Sequence, residues 1–283
     1  PPIRIAADRS APGGREFCRR ATRLSLQTTS TAEARRSPLP RIAVIADIHA
    51  NRQGLDAVVR AGRLAGATEW WCLGDLVGYG GDPGHCARVV TSISSRCLAG
   101  NHDLAAAGRI PLERFADWAF DAVSWTFQEM GSVGRARLDY LLPSDPDHEV
   151  PIFHASPRDP IWEYIVTGHQ ALDALTQVDA PMVMVGHTHV PGAWVYEPEF
   201  DRIVARKKGH GDTLEVDGLR CLINPGSVGQ PRDGDPRASW LLWDTDAATI
   251  TFQRTPYDVA AAQNAILAAG LPPMLASRLS DGR

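Results

Sequence analysis

Five short stretches of the chain contain histidine, aspartate or asparagine, which are residue types that can bind metal ions. Taken alone, each stretch is typical of the turn that follows a strand. Taken together they are informative, because each one begins where an apolar run ends. The five stretches are Asp47-Ile48-His49, Gly74-Asp75, Gly100-Asn101-His102-Asp103, His154 and Gly186-His187-Thr188-His189.

Seven residues of these stretches are candidate ligands, and they offer imidazole nitrogen and oxygen atoms but no thiolate. This mixture suits Mn, Fe, Zn or Ni better than Mg or Ca. Seven ligands are too many for one ion and suit two ions that share a bridge. Two metal ions roughly 3.5–4 Å apart can hold a bridging hydroxide and clamp the oxygens of a phosphoryl group. The candidates are Asp47, His49, Asp75, Asn101, His154, His187 and His189.

Buried strands must position these side chains. Continuous apolar runs predict strands over 42–46, 70–73, 96–99, 150–153 and 182–185, and helical spacing predicts helices over 53–66, 83–93 and 169–177, with two more within 112–142. Strands that alternate with helices imply a largely parallel sheet. In such a sheet, ligands bind beyond the carboxyl ends of the strands, which is where all five stretches lie.

After residue 190 the pattern changes to short strands joined by turns, which indicates antiparallel sheet. Asp217-Gly218 is a hairpin signal, and a helix over about 257–269 is expected to close the chain. The sequence therefore predicts one α/β domain in which two sheets pack together and helices cover their outer faces.

The five stretches, in this order, resemble the calcineurin-like metallophosphoesterase superfamily over about residues 41–254. The segments 74–80, 156–159 and 224–231 further resemble its compact bacterial and archaeal branch, which includes phosphodiesterases, diadenosine tetraphosphate hydrolases and protein phosphatases. The resemblance implies a four-layer α-β-β-α sandwich of two mixed β-sheets flanked by helices, with a dinuclear metal site at the carboxyl ends of the strands.

The resemblance also implies a role for each candidate. One metal is expected at Asp47, His49 and His189, the other at Asn101, His154 and His187, with Asp75 bridging them. A metal-bridging hydroxide would be the nucleophile. His102 would protonate the leaving oxygen or stabilise its charge, and Asp103 would orient the imidazole of His102. The metals expected are two divalent ions, Mn or Fe first and Zn or Ni as alternatives.

Substrate contacts are open at two positions. Tyr79, in Gly78-Tyr79-Gly80, either stacks on a base or anchors a loop. Arg158 either binds phosphate through both arms of its guanidinium or forms a salt bridge with a neighbouring carboxylate. The segment Asn224-Pro225-Gly226-Ser227 is interpreted as a structural turn beneath the histidine loop.

Composition excludes several classes of protein. Residues 1–39 carry eight arginines against three acidic residues, so of the net charge of −4 the rest of the chain carries −9. An acidic body argues against binding of a nucleic-acid duplex. No apolar run approaches the roughly 20 residues that span a membrane. Five cysteines without a Cys-x-x-Cys pair favour a reducing, cytoplasmic location.

The domain organisation expected is a disordered or non-native N-terminal extension, 1–39, followed by a metallophosphoesterase domain, 40–283. The extension has the composition either of an organelle transit peptide or of a mis-called start.

The function expected is hydrolysis of a small-molecule or nucleotide phosphate ester, and a phosphoprotein is a further possible substrate. The alternative is a non-catalytic scaffold or sensor of the same fold that binds a protein partner. The oligomeric state is left open.

Overall fold

The computed structural model describes residues 39–283, so the N-terminal extension predicted over 1–39 lies almost entirely outside the described residues. In the described part, strands first alternate with helices, then several strands follow one another, and two helices come last. The strands are β1 (Arg41–Ile45), β2 (Glu69–Cys72), β3 (Arg96–Cys97), β4 (Ser144–Asp145), β5 (Ile152–Phe153), β6 (Met182–Val185), β7 (Gly192–Glu197), β8 (Arg202–Lys207), β9 (Thr213–Glu215), β10 (Cys221–Asn224), β11 (Ala238–Asp244) and β12 (Thr249–Thr255). The helices are α1 (Arg52–Leu64), α2 (Pro83–Ile93), α3 (Asn101–Ala106), α4 (Asp117–Arg135), α5 (Gly168–Thr176), α6 (Val259–Ala268) and α7 (Pro273–Asp281).

The strands form two six-stranded mixed sheets, which confirms the predicted fold class. The first sheet has the order β3-β2-β1-β11-β12-β9 and the second has the order β4-β5-β6-β10-β7-β8. In the first sheet β1, β2 and β3 are parallel, and in the second β5, β6 and β10 are parallel. The remaining pairings are antiparallel.

Three apolar layers hold the sandwich together. Between the sheets, alternate residues of β1 such as Ile42 and Val44 pack with Met184 of β6 and Ile223 of β10. The other face of each strand points outward because side chains alternate along a strand. On the outer face of the first sheet, residues of β1 and β2 pack with α1 and α2, and on that of the second sheet, residues of β6 pack with α5.

The element boundaries agree closely with the sequence patterns, and three features differ. The short helix α3 begins at the candidate ligand Asn101 itself. The helix at 257–269 does not close the chain, because α7 follows it. Asp217-Gly218 is not the turn of a hairpin: β9 before it pairs with β12 in the first sheet, and β10 after it lies in the second. The turn therefore carries the chain from one sheet to the other.

Two expectations from composition can be compared with the structure. Among residues 39–283, no helix has the length and apolar character needed to cross a bilayer. Cys72, Cys86, Cys97 and Cys221 are free thiols, as expected for a chain without a disulfide framework in its described part.

Candidate metal centre

The seven candidate ligands converge at the carboxyl ends of five strands. They come from the loops that follow β1, β2, β3, β5 and β6, and each is at most 4% exposed. The parallel strands of the two packed sheets end at the same edge of the sandwich, so residues more than 100 positions apart meet there. The structure therefore brings together all seven residues singled out in the sequence.

The first group of ligand atoms comprises Asp47, His49, Asp75 and His189. Nε2 of His49 lies 3.1 Å from Nε2 of His189 and 3.5 Å from Oδ2 of Asp75. Nε2 of His189 lies 3.6 Å from Oδ1 of Asp47. These four side chains surround one point, as a single metal ion requires.

The second group comprises Asp75, His154 and His187, with Asn101 beside them. Nε2 of His154 lies 3.1 Å from Nδ1 of His187, 3.3 Å from Oδ1 of Asn101 and 3.4 Å from Oδ2 of Asp75. The same Asp75 oxygen therefore faces both groups. This is the place that a bridging carboxylate occupies in a two-metal site.

The protonation of three histidines tests whether these groups fit metal ions. Nδ1 of His49, His154 and His189 lies 3.2, 2.9 and 2.6 Å from the carbonyl oxygens of Val77, Leu73 and Gln230, respectively. A carbonyl only accepts, so Nδ1 carries the proton and each neutral ring directs the lone pair of Nε2 into the centre. The Nε2 atoms of His49 and His189 lie 3.1 Å apart, so their lone pairs repel each other unless a cation lies between them. Backbone carbonyls commonly fix metal-binding histidines in this way.

Burial shifts the pKa of these groups in the direction that favours their neutral forms. It raises the pKa of Asp75 to about 8 and, together with the neighbouring Asp75 carboxylate, raises the pKa of Asp47. Burial lowers the pKa of His154 to about 4 and also lowers those of His187 and His189. Neutral imidazoles are the form that binds metals, and a nearby cation would restore the charge of the carboxylates.

The backbone at the centre adopts conformations that are rare for residues other than glycine. Asp47, His49, Asp75, His187 and His189 all have φ between 47° and 66°. Such left-handed residues carry conformational strain and cluster at functional sites. Glycine allows the loops to approach one another: a Cβ at Gly100 would lie 2.0 Å from Oδ1 of Asp75.

His102 lies beside the centre. Asp103 was predicted to orient the imidazole of His102, but among the described residues its carboxylate makes no hydrogen bond to that ring. The Asp103 carboxylate accepts hydrogen bonds from the backbone N–H groups of Leu76, Val77 and Gly100, at 2.9–3.1 Å. Nδ1 of His102 is buried and has no hydrogen-bond partner within residues 39–283. Asp103 is the third residue of α3, which aims its side chain back at the preceding loops. It therefore joins the loop of Asp75 to the loop of Asn101.

A cavity of about 230 Å³ opens onto the metal centre. Its wall includes Asp75, Asn101, His102, His187 and His189. Apart from Ala116 and Ala119, the remaining wall is aromatic or cationic, and it comes mostly from segments that carry no metal ligand. The aromatic and cationic residues are Tyr79, Arg114, Phe115, Trp118, Trp162, Tyr164, Arg232 and Arg278.

The two predicted substrate contacts have different outcomes. Tyr79 does line the cavity, where its ring packs against His102 and Trp118 with centroids 4.3 and 5.3 Å apart. Arg158 does not line it, because its guanidinium is held by Glu163 and Asp173 in the salt bridges that were the alternative interpretation. The placement of Arg158 therefore argues against its predicted contact with phosphate.

Arg232 is one of the cavity residues that sequence reasoning missed. It directly follows the segment 224–231. The structure supports the interpretation of that segment as a turn beneath the histidine loop, because Nδ2 of Asn224 donates to the carbonyl of Gly186 at 2.7 Å. The backbone N–H of Arg232 donates to the carbonyl of His189 at 3.3 Å. Its position after that segment was the available signal.

The fold consists of two packed mixed sheets between helices, and a buried cluster of aspartates and histidines lies at the strand ends. These features are those of an α/β protein with a dinuclear metal site. Residues 41–248 match the calcineurin-like phosphoesterase superfamily domain. The chain belongs to this family, and the family together with the two ligand groups implies two metal ions.

Individual relatives agree with this assignment. The chain is 34% identical over 247 residues to an uncharacterized protein of Methanocaldococcus jannaschii, covering 86% of this chain and 98% of that protein. The crystal structure of a metallophosphoesterase from Sphaerobacter thermophilus superposes with a TM-score of 0.77 at 39% identity, covering 86% of this chain and 99% of that chain. A hypothetical protein from Pyrococcus horikoshii shares the fold at 18% identity, with a TM-score of 0.67 and coverage of 87% and 99%.

Proposed function

We propose that the protein is a dinuclear metal-dependent phosphoesterase that hydrolyses a phosphate ester of a small molecule or nucleotide. The observation that carries the proposal is the position of Asp75, whose Oδ2 atom lies 3.4–3.5 Å from a histidine nitrogen of each ligand group. A carboxylate shared between two groups of neutral imidazoles suits two divalent cations that act on one phosphoryl group.

The residues of the chain would divide the work between the two groups. Asp47, His49 and His189 would hold one ion, Asn101, His154 and His187 the other, and Asp75 both. When bound, the two ions would supply positive charge to the phosphoryl oxygens and lower the pKa of a water molecule. Because the ligands are buried and fixed by backbone carbonyls, little reorganisation would accompany the reaction.

His102 would assist the leaving group. It is buried beside the cavity, its ring packed between those of Tyr79 and Phe115. Burial, and next the positive charge of Arg232, lowers the pKa of His102. In the free protein the imidazole is therefore neutral, so its N–H stabilises negative charge on the leaving oxygen by hydrogen bonding. The approach of an anionic ester would favour the imidazolium form, which protonates that oxygen.

The test is hydrolysis of p-nitrophenyl phosphate and bis(p-nitrophenyl) phosphate by metal-reconstituted protein. Turnover should require Mn²⁺ or Fe²⁺, with Zn²⁺ and Ni²⁺ as further candidates, and Asp75→Asn and His187→Ala should each abolish it. His169→Ala is the matched control, because His169 is exposed on α5. Wild-type rates in both ligand variants would refute the proposal. A metal-free protein that is inactive but retains a stable protein partner would favour the scaffold hypothesis instead.

A further inference from the structure

Three arginines line the cavity beside the metal centre, and no aspartate or glutamate in the described part of the chain neutralises them. Arg114, Arg232 and Arg278 all contribute to its wall. Among residues 39–283, no Asp or Glu oxygen lies within 4 Å of any of the three guanidinium groups. By contrast, Arg158 and Arg254 are each held by two carboxylates. The cavity therefore concentrates cations that are available to a ligand.

Aromatic rings lie against two of these arginines. The guanidinium of Arg114 lies 4.4 Å from the ring centroid of Trp162, and that of Arg278 lies 5.0 Å from the ring centroid of Trp118. Nε of Arg278 also donates at 2.9 Å to a carboxylate oxygen of Arg283, the last residue of the printed sequence, and this carboxylate offsets part of the charge of Arg278. Stacking orients a guanidinium without cancelling its charge, and it leaves N–H donors at the edge of the group for an anion.

Arg232 lies close both to Arg278 and to the metal ligand His189. One terminal nitrogen donates to Oε1 of Gln230 at 3.1 Å, while Nε is buried without a partner in the described part of the chain. Burial, and next the like charge of Arg232, lowers the pKa of Arg278. An anion that enters the cavity would accept a hydrogen bond from the unpaired Nε of Arg232. It would also reduce the repulsion between the charges of Arg232 and Arg278.

With two metal ions bound, the positive charge at the centre and in the cavity would exceed the negative charge of one phosphate group. Two divalent ions and three arginines would carry seven positive charges, against the carboxylates of Asp47 and Asp75 in the ligand groups and that of Arg283 beside Arg278. A phosphate monoester carries about two negative charges at neutral pH. A single phosphoryl group at the metals would therefore leave the outer arginines without a counter-charge.

We propose that Arg114, Arg232 and Arg278 form a second anion subsite, which selects substrates that carry at least two linked phosphate groups over substrates that carry one. The first group would lie at the metals and the second among the three guanidinium groups. Fork-shaped guanidinium groups suit this task because they bind phosphate oxygens through paired N–H donors. This inference rests on the proposed function, since it assumes that the reacting ester lies at the metal centre.

The experiment compares two ligands that differ by one phosphate group. Isothermal titration calorimetry would measure the binding of adenosine monophosphate and of α,β-methylene-adenosine diphosphate to the Mn²⁺-loaded full chain, at a fixed concentration of free Mn²⁺. The wild-type protein should bind the diphosphate analogue at least about tenfold more tightly, which corresponds to about 1.4 kcal/mol. Arg114→Ala and Arg278→Ala should each reduce this ratio about threefold or more, and the double variant should bring it close to one.

Arg88→Ala is the matched control, since Arg88 is an exposed arginine of α2 away from the cavity, and it should leave the ratio unchanged. Circular dichroism melts would verify that each variant is folded. Equal affinities in the wild-type protein would overturn the proposal. So would a preference that survives when Arg232→Ala is added to the double variant, because the metals alone would then explain it.

Hydrolysis of bis(p-nitrophenyl) phosphate, measured in parallel, separates this inference from the proposed function. An active wild-type enzyme without a preference for the diphosphate analogue refutes only the second subsite. A protein that shows the preference but hydrolyses no ester supports the subsite as a binding site and refutes only the enzymatic assignment.

Discussion

Replacement of Asp103 by asparagine tests the structural role that the hydrogen bonds of this residue indicate. The buried carboxylate accepts hydrogen bonds from Leu76 N–H at 3.1 Å, Val77 N–H at 3.0 Å and Gly100 N–H at 2.9 Å. Asparagine has the same shape but only one acceptor oxygen. Its amide nitrogen would face a backbone N–H, so at least one buried donor loses its partner.

The expected loss of stability follows from these contacts. A hydrogen bond to a charged acceptor contributes about 1.5–3 kcal/mol, and a buried donor left unpaired costs about 1–3 kcal/mol. Since at least one of the three bonds is lost, Asp103→Asn should lower the free energy of unfolding by about 2–3 kcal/mol. For a domain of this size, 1 kcal/mol shifts Tm by about 2–4 °C, so Tm should fall by about 4–12 °C.

Thermal unfolding followed by circular dichroism, on protein freed of metal with a chelator, measures this effect without interference from metal affinity. Asp179→Asn is the control, because this exposed aspartate has no hydrogen-bond partner among the described residues. Reconstituted Asp103→Asn should also bind Mn²⁺ more weakly, since Asp103 joins the loops of Asp75 and Asn101. If Asp103 instead acts mainly by orienting His102, turnover will fall while Tm stays within about 1 °C of wild type, and the reasoning is refuted.

Three further outcomes concern the same centre. His102→Ala should lower turnover by about 10²–10⁴-fold with wild-type metal content by atomic emission, whereas Asn101→Ala should lower the metal content; metal loss in the first variant would contradict its assigned role. Gly100→Ala should disrupt metal binding, because its Cβ would lie 2.0 Å from Oδ1 of Asp75; a fully active variant would contradict the geometry. The chelated protein should be most stable near about pH 6.5, the usual pKa of histidine. Burial raises the pKa of Asp75 to about 8, so the folded protein retains a proton that the unfolded chain has lost, and stability falls as the pH rises towards 8. Burial lowers the pKa of His154 to about 4, and it lowers the pKa of four further histidines of the site, namely His49, His102, His187 and His189. Below about pH 6.5 the unfolded chain therefore takes up more protons at these five histidines than the folded protein retains at the buried aspartates, and stability falls as the pH drops. Saturating Mn²⁺ should remove the loss above pH 6.5, and melting curves from acid to alkaline pH, with and without chelator, would show whether it does.

The sequence alone determined the fold class and the set of residues that meet at the centre. Each candidate ligand follows a buried strand, and parallel strands bring their carboxyl ends to one edge. The periodicity signal is strongest where a strand is apolar throughout, and β6 (Met182–Val185) spans the range predicted for it. Local chemistry and strand polarity were sufficient here because neither depends on which distant segments pack together.

Only the tertiary structure decided the contacts made by side chains from remote segments. Asp103 lies next to His102 in the chain, yet the direction of α3 turns its carboxylate towards two other loops. The turn at Asp217-Gly218 has an ordinary hairpin sequence, and local signals do not specify which sheet each neighbouring strand joins. Arg114, Arg232 and Arg278 come from three separate parts of the chain, and only packing around the cavity places them together. Arginine is common on protein surfaces, so its role depends on neighbours that spacing along the sequence does not reveal.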